Sequence, residues 1–114
     1  MSHRIRLNAR WKLLRDGTAS VVDLPLVSKT DSRHELTRSF GKPANPDDES
    51  VWIRVEEATS EFVVKLNGTE LGRIDSSAAE WDVTASLKDR NEIRLESENG
   101  AGLGTVVIEI RERS

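Results

Sequence analysis

The residues best suited to hold a ligand stand in VWIRVEE, residues 51–57. Val51, Ile53 and Val55 alternate with Trp52, Arg54 and Glu56, so a strand here turns the second set away from the core. An outward Trp beside charged residues can stack on the apolar face of a pyranose while its neighbours supply hydrogen bonds. Lys65 is expected on the same open sheet face. Two other readings of Trp52 stay open: a loop or the N-terminal segment covers it, or it belongs to an interface with another subunit or domain.

Other chemistries have less to stand on. Asp47-Asp48-Glu49 offers hard oxygen ligands for a structural calcium, but three adjacent acids converge on one ion only in a strained loop, and EF-hand spacing is absent. A solvated loop is the expectation there, and no cofactor is expected. His3 and His34 are the only histidines, and neither stands in an H-x-x-H or H-E-x-x-H arrangement. The chain has no cysteine, which removes disulfides, thiol nucleophiles and thiolate zinc sites. No serine stands in a nucleophile-elbow motif. The glycine-rich NGAGLG, residues 99–104, lacks the Lys-Ser/Thr ending of a phosphate loop and precedes a strand. Twenty acids always allow a carboxylate pair, but a domain of this size offers no deep cleft in which to raise one carboxyl pKa. The expectation is a protein that is not an enzyme.

The elements that must position these residues are short. A chain of 114 residues is read as one domain with one modest core. Its net charge of −3 is spread evenly, which argues against a nucleic-acid partner. No long apolar run reads as a membrane span, and the N-terminus lacks the apolar centre of a signal peptide, so a cytoplasmic location is expected for the chain as given. With three Trp, two Phe and no Tyr, the core must come mainly from Val, Ile and Leu, residues that favour strands.

A period of two runs from Arg4 to Leu13, placing Ile5, Leu7, Ala9, Trp11 and Leu13 on one face. Further strands are expected at Ser20–Leu24, His34–Phe40, Val51–Glu57, Glu61–Leu66, Thr69–Ile74, Ala79–Val83, Asn91–Ser97 and Thr105–Arg111. Thr84 is read as the N-cap of one helical turn through Ser86, Leu87 and Lys88. Asn67-Gly68 between two strand-like runs is a strong hairpin signal. A two-residue turn there sets Leu66 opposite Thr69, Lys65 opposite Glu70 in a cross-strand ion pair, and Val64 opposite Leu71. About nine short strands with regular turns argue for a sandwich or barrel of antiparallel strands. Strict alternation of strand direction would put loops 14–18, 41–50, 67–69 and 84–90 at one end. Loops 25–33, 58–60, 75–78 and 98–104 would then lie at the other.

Several of these segments resemble a known family. Leu66-Asn67-Gly68 followed by Leu71-Gly72, then Trp81-Asp82-Val83-Thr84, Leu87, and Asn91 with Ile93 and Leu95 are similar to the jelly-roll sugar-binding domain of β-galactosidase and β-glucuronidase type glycoside hydrolases. Leu7 with Trp11, Leu24-Pro25, Arg38 with Phe40, and VWIRVEE fit the same order. The resemblance spans about residues 7 to 110 and rests on structural residues. It implies an all-β fold, an antiparallel β-sandwich of jelly-roll, galactose-binding-domain-like type, standing without the catalytic barrel. It also implies an accessory role. Independently of it, Trp81 and Val83 share a core face, Asp82 can accept backbone N–H groups at the following turn, and Asn91 can bridge backbone before its strand. The expected function is a non-catalytic binding module with a carbohydrate partner, using Trp52, Arg54 and Lys65. The second reading is a structural or protein-interaction domain, self-associating through that same face.

Overall fold

The computed structural model describes residues 3–27, 32–43, 48–100 and 102–112. Eight strands follow in order: β1 (His3–Arg6), β2 (Trp11–Arg15), β3 (Thr18–Val22), β4 (His34–Gly41), β5 (Glu49–Leu66), β6 (Thr69–Asp82), β7 (Arg90–Ser97) and β8 (Thr105–Glu112). All pairings are antiparallel, in the order β1-β8-β5-β7-β4-β2-β3, with β6 on the other edge of β5. The long β5 divides its partners. Residues 49–56 pair with β8 and residues 63–66 pair with β7, while β6 follows both halves. The sheet therefore curls into two facing layers, an antiparallel β-sandwich of the jelly-roll type.

Alternation explains the core. Val51, Ile53, Val55, Phe62, Val64 and Leu66 of β5 all point inward and are fully or almost fully buried. They meet Leu36 of β4, Ile93 and Leu95 of β7, Val106, Ile108 and Ile110 of β8, and Trp11 and Leu13 of β2. The Trp11 indole is completely buried, and its Nε1 donates to the Leu7 carbonyl at 2.6 Å. That bond satisfies the ring's polar edge inside an apolar interior. Val83 is buried, and Trp81 packs against the cluster from an edge strand with part of its ring exposed.

Where the pattern is broken, the backbone says why. The expected strand Arg4–Leu13 is two strands in different layers, because Arg10 takes a left-handed φ of 62° and the chain crosses over between them. Ile5 is consequently 38 % exposed on edge strand β1, and Ala9 is exposed rather than inward. The split also moves the turn 14–18 to the end opposite the expected one: Arg15 pairs with His34, at the end where Ser97 leaves β7. Segments 58–60 and 75–78 are not loops. They are irregular stretches inside one long hairpin, with register shifts between Val55 and Ala58 and between Ala58 and Glu61, and left-handed residues at Glu57 and Ser77. Bulges of this kind bend and twist a strand without ending it.

The Asn67-Gly68 turn has φ of 51° and 85°, as a type I′ turn requires. Leu66 opposes Thr69 and Lys65 opposes Glu70 as expected, but Val64 opposes Gly72, because a further register shift leaves Leu71 as the extra residue. Residues 84–86 form a 3-10 turn, and Thr84 does not cap it. The Asp82 carboxylate accepts from the Thr84 backbone N–H at 3.0 Å and from its hydroxyl at 2.6 Å, while Leu87 is already extended. Asn91 bridges backbone as expected: its Oδ1 accepts from Lys88 N–H at 2.9 Å and its Nδ2 donates to the Lys88 carbonyl at 2.8 Å.

Candidate functional site

Trp52 and Arg54 project from the outer face of the layer containing β1 and β8. Their ladder partners are Glu109 and Val107 on β8, and Asp82 and Glu80 on β6. The surface over Trp52 is occupied by the protein's own side chains. The Arg111 guanidinium lies over the indole at 4.4 Å from the ring centroid, and Trp52 Nε1 donates to Ser50 Oγ at 3.0 Å. Arg111 is itself fixed by Glu109 and Glu80. Its hydrogen bond to Glu109, opposed by burial and joined by the bond to Glu80, pushes the guanidinium above its ordinary pKa. Arg54 reaches Glu56 at 3.3 Å and Glu80 at 3.8 Å, and Arg4 reaches Glu56 at 2.9 Å and Glu109 at 3.3 Å. Three arginines and three glutamates thus form one charge lattice across four strands. A sugar stacking on Trp52 would first displace a cation–π contact worth about 0.5–2 kcal/mol.

Lys65 lies elsewhere. It stands at the opposite end of β5 and pairs with β7. The expected ion pair with Glu70 does not form, although the two residues face each other. Lys65 Nζ turns the other way across the sheet to Glu96 at 3.1 Å, where Arg94 also approaches at 4.0 Å. Glu96 is more sheltered than the exposed Glu70, so the Coulombic gain is larger there. Trp52 and Arg54 are thus brought together and Lys65 is set apart from them.

For the remaining candidates, Asp47 lies outside the described residues. Asp48 is exposed in a turn, and Glu49 is the first residue of β5, opposite Glu112. Among the described residues no three His, Cys, Asp or Glu side chains converge as a metal site would need. His3 pairs with Ile110 on an edge. His34 is buried, stacks on Phe62 at 6.0 Å and has its Nδ1 3.3 Å from Arg15 Nη2.

A surface with room for a ligand lies on the other layer. A groove of about 440 Å³ runs over the outer face of β2, β4 and β7, lined by Arg10, Lys12, Leu14, Glu35, Thr37, Arg38, Ser39, Glu92 and Arg94. Register builds it: Lys12, Thr37 and Arg94 form one row across three strands, Leu14 and Glu35 the next, and Ser39 and Glu92 another. Two arginines close one end. Arg10 holds its left-handed conformation while its N–H donates to Asp23 Oδ1 at 3.0 Å, and Arg38 Nε donates to the Ala9 carbonyl at 2.8 Å. Four cations and two carboxylates face the space, so it is electropositive in a chain of net charge −3. Only the alternation of Arg10 and Lys12 with Trp11 and Leu13 hinted at this surface. The hint points to a wet face, and which strands complete that face depends on non-local register.

No family model and no curated protein matches the sequence. Solved structures do resemble the fold. The chain aligns with an FMN-binding β-glucuronidase from Facaelibacterium prausnitzii L2-6 at TM-score 0.80 and 24% identity, over 96% of this chain and 22% of that one. It aligns with a β-glucuronidase from an uncultured Clostridium sp. at TM-score 0.81 and 17% identity, over 97% of this chain and 29% of that one. A Bifidobacterium dentium β-glucuronidase complexed with coumarin-3-O-glucuronide gives TM-score 0.81 and 16% identity, over 97% and 30%. The chain therefore spans less than a third of each of these enzymes, and the likeness is one of fold.

Proposed function

We propose that this chain is a non-catalytic binding module, an accessory-type domain that takes carbohydrate in the groove over β2, β4 and β7. One observation carries the reading: that groove is open and rich in hydrogen-bonding groups, whereas the Trp52 face is filled by Arg111 and its glutamates. Sugar hydroxyls both donate and accept, and the lining offers both kinds of partner, with Leu14 as an apolar contact. The excess of cations favours a sugar carrying a carboxylate, which a guanidinium can bind through two parallel hydrogen bonds.

Catalysis has little support in the same geometry. Glu35 and Glu96 face each other across β4 and β7, but Arg33 holds Glu35 at 3.5 Å and Lys65 holds Glu96 at 3.1 Å. Their role is charge balance on the sheet. Glu35 and Glu92 lie four residue steps apart along β4, about 13 Å between backbone positions at 3.2–3.4 Å per residue.

An amide-resolved NMR titration with uronic acid oligosaccharides, against neutral oligosaccharides of equal length, tests the proposal. Shifts should cluster at Lys12, Thr37, Arg38 and Arg94, vanish in Lys12→Ala/Arg94→Ala, and persist in Trp52→Ala. Shifts centred on Trp52, or none with either sugar class, would overturn it.

A further inference from the structure

Among the described residues, three strands of this sheet have a free edge, and two of them are guarded. β1 carries Arg4 and Arg6. β6 carries Glu70, Arg73, Asp75 and Glu80, several register shifts and a left-handed Ser77. Charges and bulges are the usual devices against edge-to-edge pairing. β3 has neither. Its sequence is TASVV, its pairing with β2 is regular from Thr18 to Val22, and Thr18 to Val21 are all exposed. Among the described residues, none pairs with its outer edge.

The same strand bears the most exposed large apolar side chain among the described residues, Val21 at 74 %, and beside it on β2 stands Leu14 at 40 %. Register places Ala19 next to Leu14 and Val21 next to Lys12, all on the outer face.

We propose that β3 pairs with β3 of a second copy of this chain, antiparallel about a twofold axis at Ser20, to make one continuous sheet. The turn geometry selects that register. Asp16-Gly17 is a two-residue turn with φ of 51° and 77°, so Arg15 and Thr18 exchange the first ladder bonds. Thr18, Ser20 and Val22 then bond back to β2, and Ala19 and Val21 aim their N–H and C=O groups at open solvent. Centring the pair on Ser20 sets Ala19 of one copy opposite Val21 of the other. That pairing satisfies all four outward peptide groups at each copy. It also makes an unbroken apolar strip of Leu14, Ala19 and the second copy's Val21. An isologous contact of this kind closes on itself and stops at two chains.

Five residues a side is a small interface, which sets the dissociation constant at roughly 0.1–1 mM. Asp23 of each copy lies near Asp16 of the other, so salt should tighten the association. The twofold stands perpendicular to the sheet, so both grooves face the same side. The dimer would present two binding surfaces to one ligand strand, and a second engagement would then be intramolecular. The pairing itself stands whether or not the groove takes sugar.

Sedimentation equilibrium and amide hydrogen exchange across protein concentration test it. Average mass should climb from 12.8 kDa toward twice that value. Exchange at the Ala19 and Val21 amides should slow with concentration, while Thr18 and Ser20 stay constant. Val21→Lys, at a site exposed enough to leave folding intact, should weaken association at least tenfold, and Val21→Thr should retain it. A chain that stays monomeric at millimolar concentration overturns the proposal. So does association that Val21→Lys leaves unchanged, or protection that rises at residues other than 19 and 21.

Discussion

Replacing Gly72 by Ala should destabilise the protein, although Ala is the better residue for a strand. Gly72 opposes Val64 and Trp81 opposes Ile53, so both point inward from β6, one from each half of the long hairpin. The indole lies directly over the glycine. A Cβ at position 72 would stand 2.7 Å from Trp81 Nε1, 3.3 Å from Cε2 and 3.4 Å from Cζ2. Comfortable contact begins at about 3.5 Å, so the rigid ring must retreat by roughly 0.8 Å. Overpacking of this sort costs about 1–3 kcal/mol. Removing a glycine from a strand returns about 0.5–1 kcal/mol. The net loss should lie between about 0 and 2.5 kcal/mol, centred near 1, against the 5–15 kcal/mol typical of whole domains. Urea denaturation of a double-mutant cycle isolates the cause. With Trp81→Leu in the background the ring is gone, and Gly72→Ala should become neutral or stabilising. A coupling energy of about 1–3 kcal/mol is therefore expected. If Gly72→Ala costs the same with and without the indole, the steric explanation is wrong.

Two other substitutions separate roles that overlap in the wild-type chain. Asn67→Gly keeps an ideal type I′ turn but removes the side-chain bonds that clamp it to β7: Oδ1 accepting from Glu92 N–H at 2.9 Å and Nδ2 donating to Asn91 Oδ1 at 3.0 Å. A loss of about 1–2 kcal/mol in the urea midpoint analysis is expected, where turn propensity alone predicts no loss. Arg10→Gly relieves a left-handed non-glycine residue, a strain of about 1–2 kcal/mol, at the entropic cost of a glycine. Stability should stay within about 1 kcal/mol of wild type while uronic acid binding in the groove weakens, read as melting temperature against NMR titration.

The fold was legible in the alternation of β5, β7 and β8, because Val51, Ile53 and Val55, then Ile93 and Leu95, then Val106, Ile108 and Ile110 recur at every second position and are buried. The Asn67-Gly68 turn, and the bonds of Asp82 to Thr84 and of Asn91 to Lys88, were legible too, since each closes within a few residues. What misled was local pattern without chain direction. Arg4 to Leu13 alternates without a fault, yet a single left-handed residue at Arg10 sends its two halves to different layers. Segments 58–60 and 75–78 look like turns because they hold Ser, Thr and Ala, but each bulges opposite the other and the hairpin runs on. The surface residues were least legible. Parity places Trp52 outside, but Arg111 lies far along the chain, and only the β5–β8 register sets it over the indole. The groove has the same origin, since β2 and β7 contribute two side chains each and β4 four, from separate parts of the sequence.

The single ribbon β5 belongs to both layers, and that has a mechanical consequence. Neither half can swing open like a leaf on a hinge, because β8 holds residues 49–56, β7 holds residues 63–66 and β6 runs along both, so loosening β5 strips partners from all three. Ile53 and Val64 sit on opposite stretches of that ribbon, yet their amides should be released to solvent in the same event. The domain should melt as one unit, with the binding groove held rigid until the whole sandwich gives way.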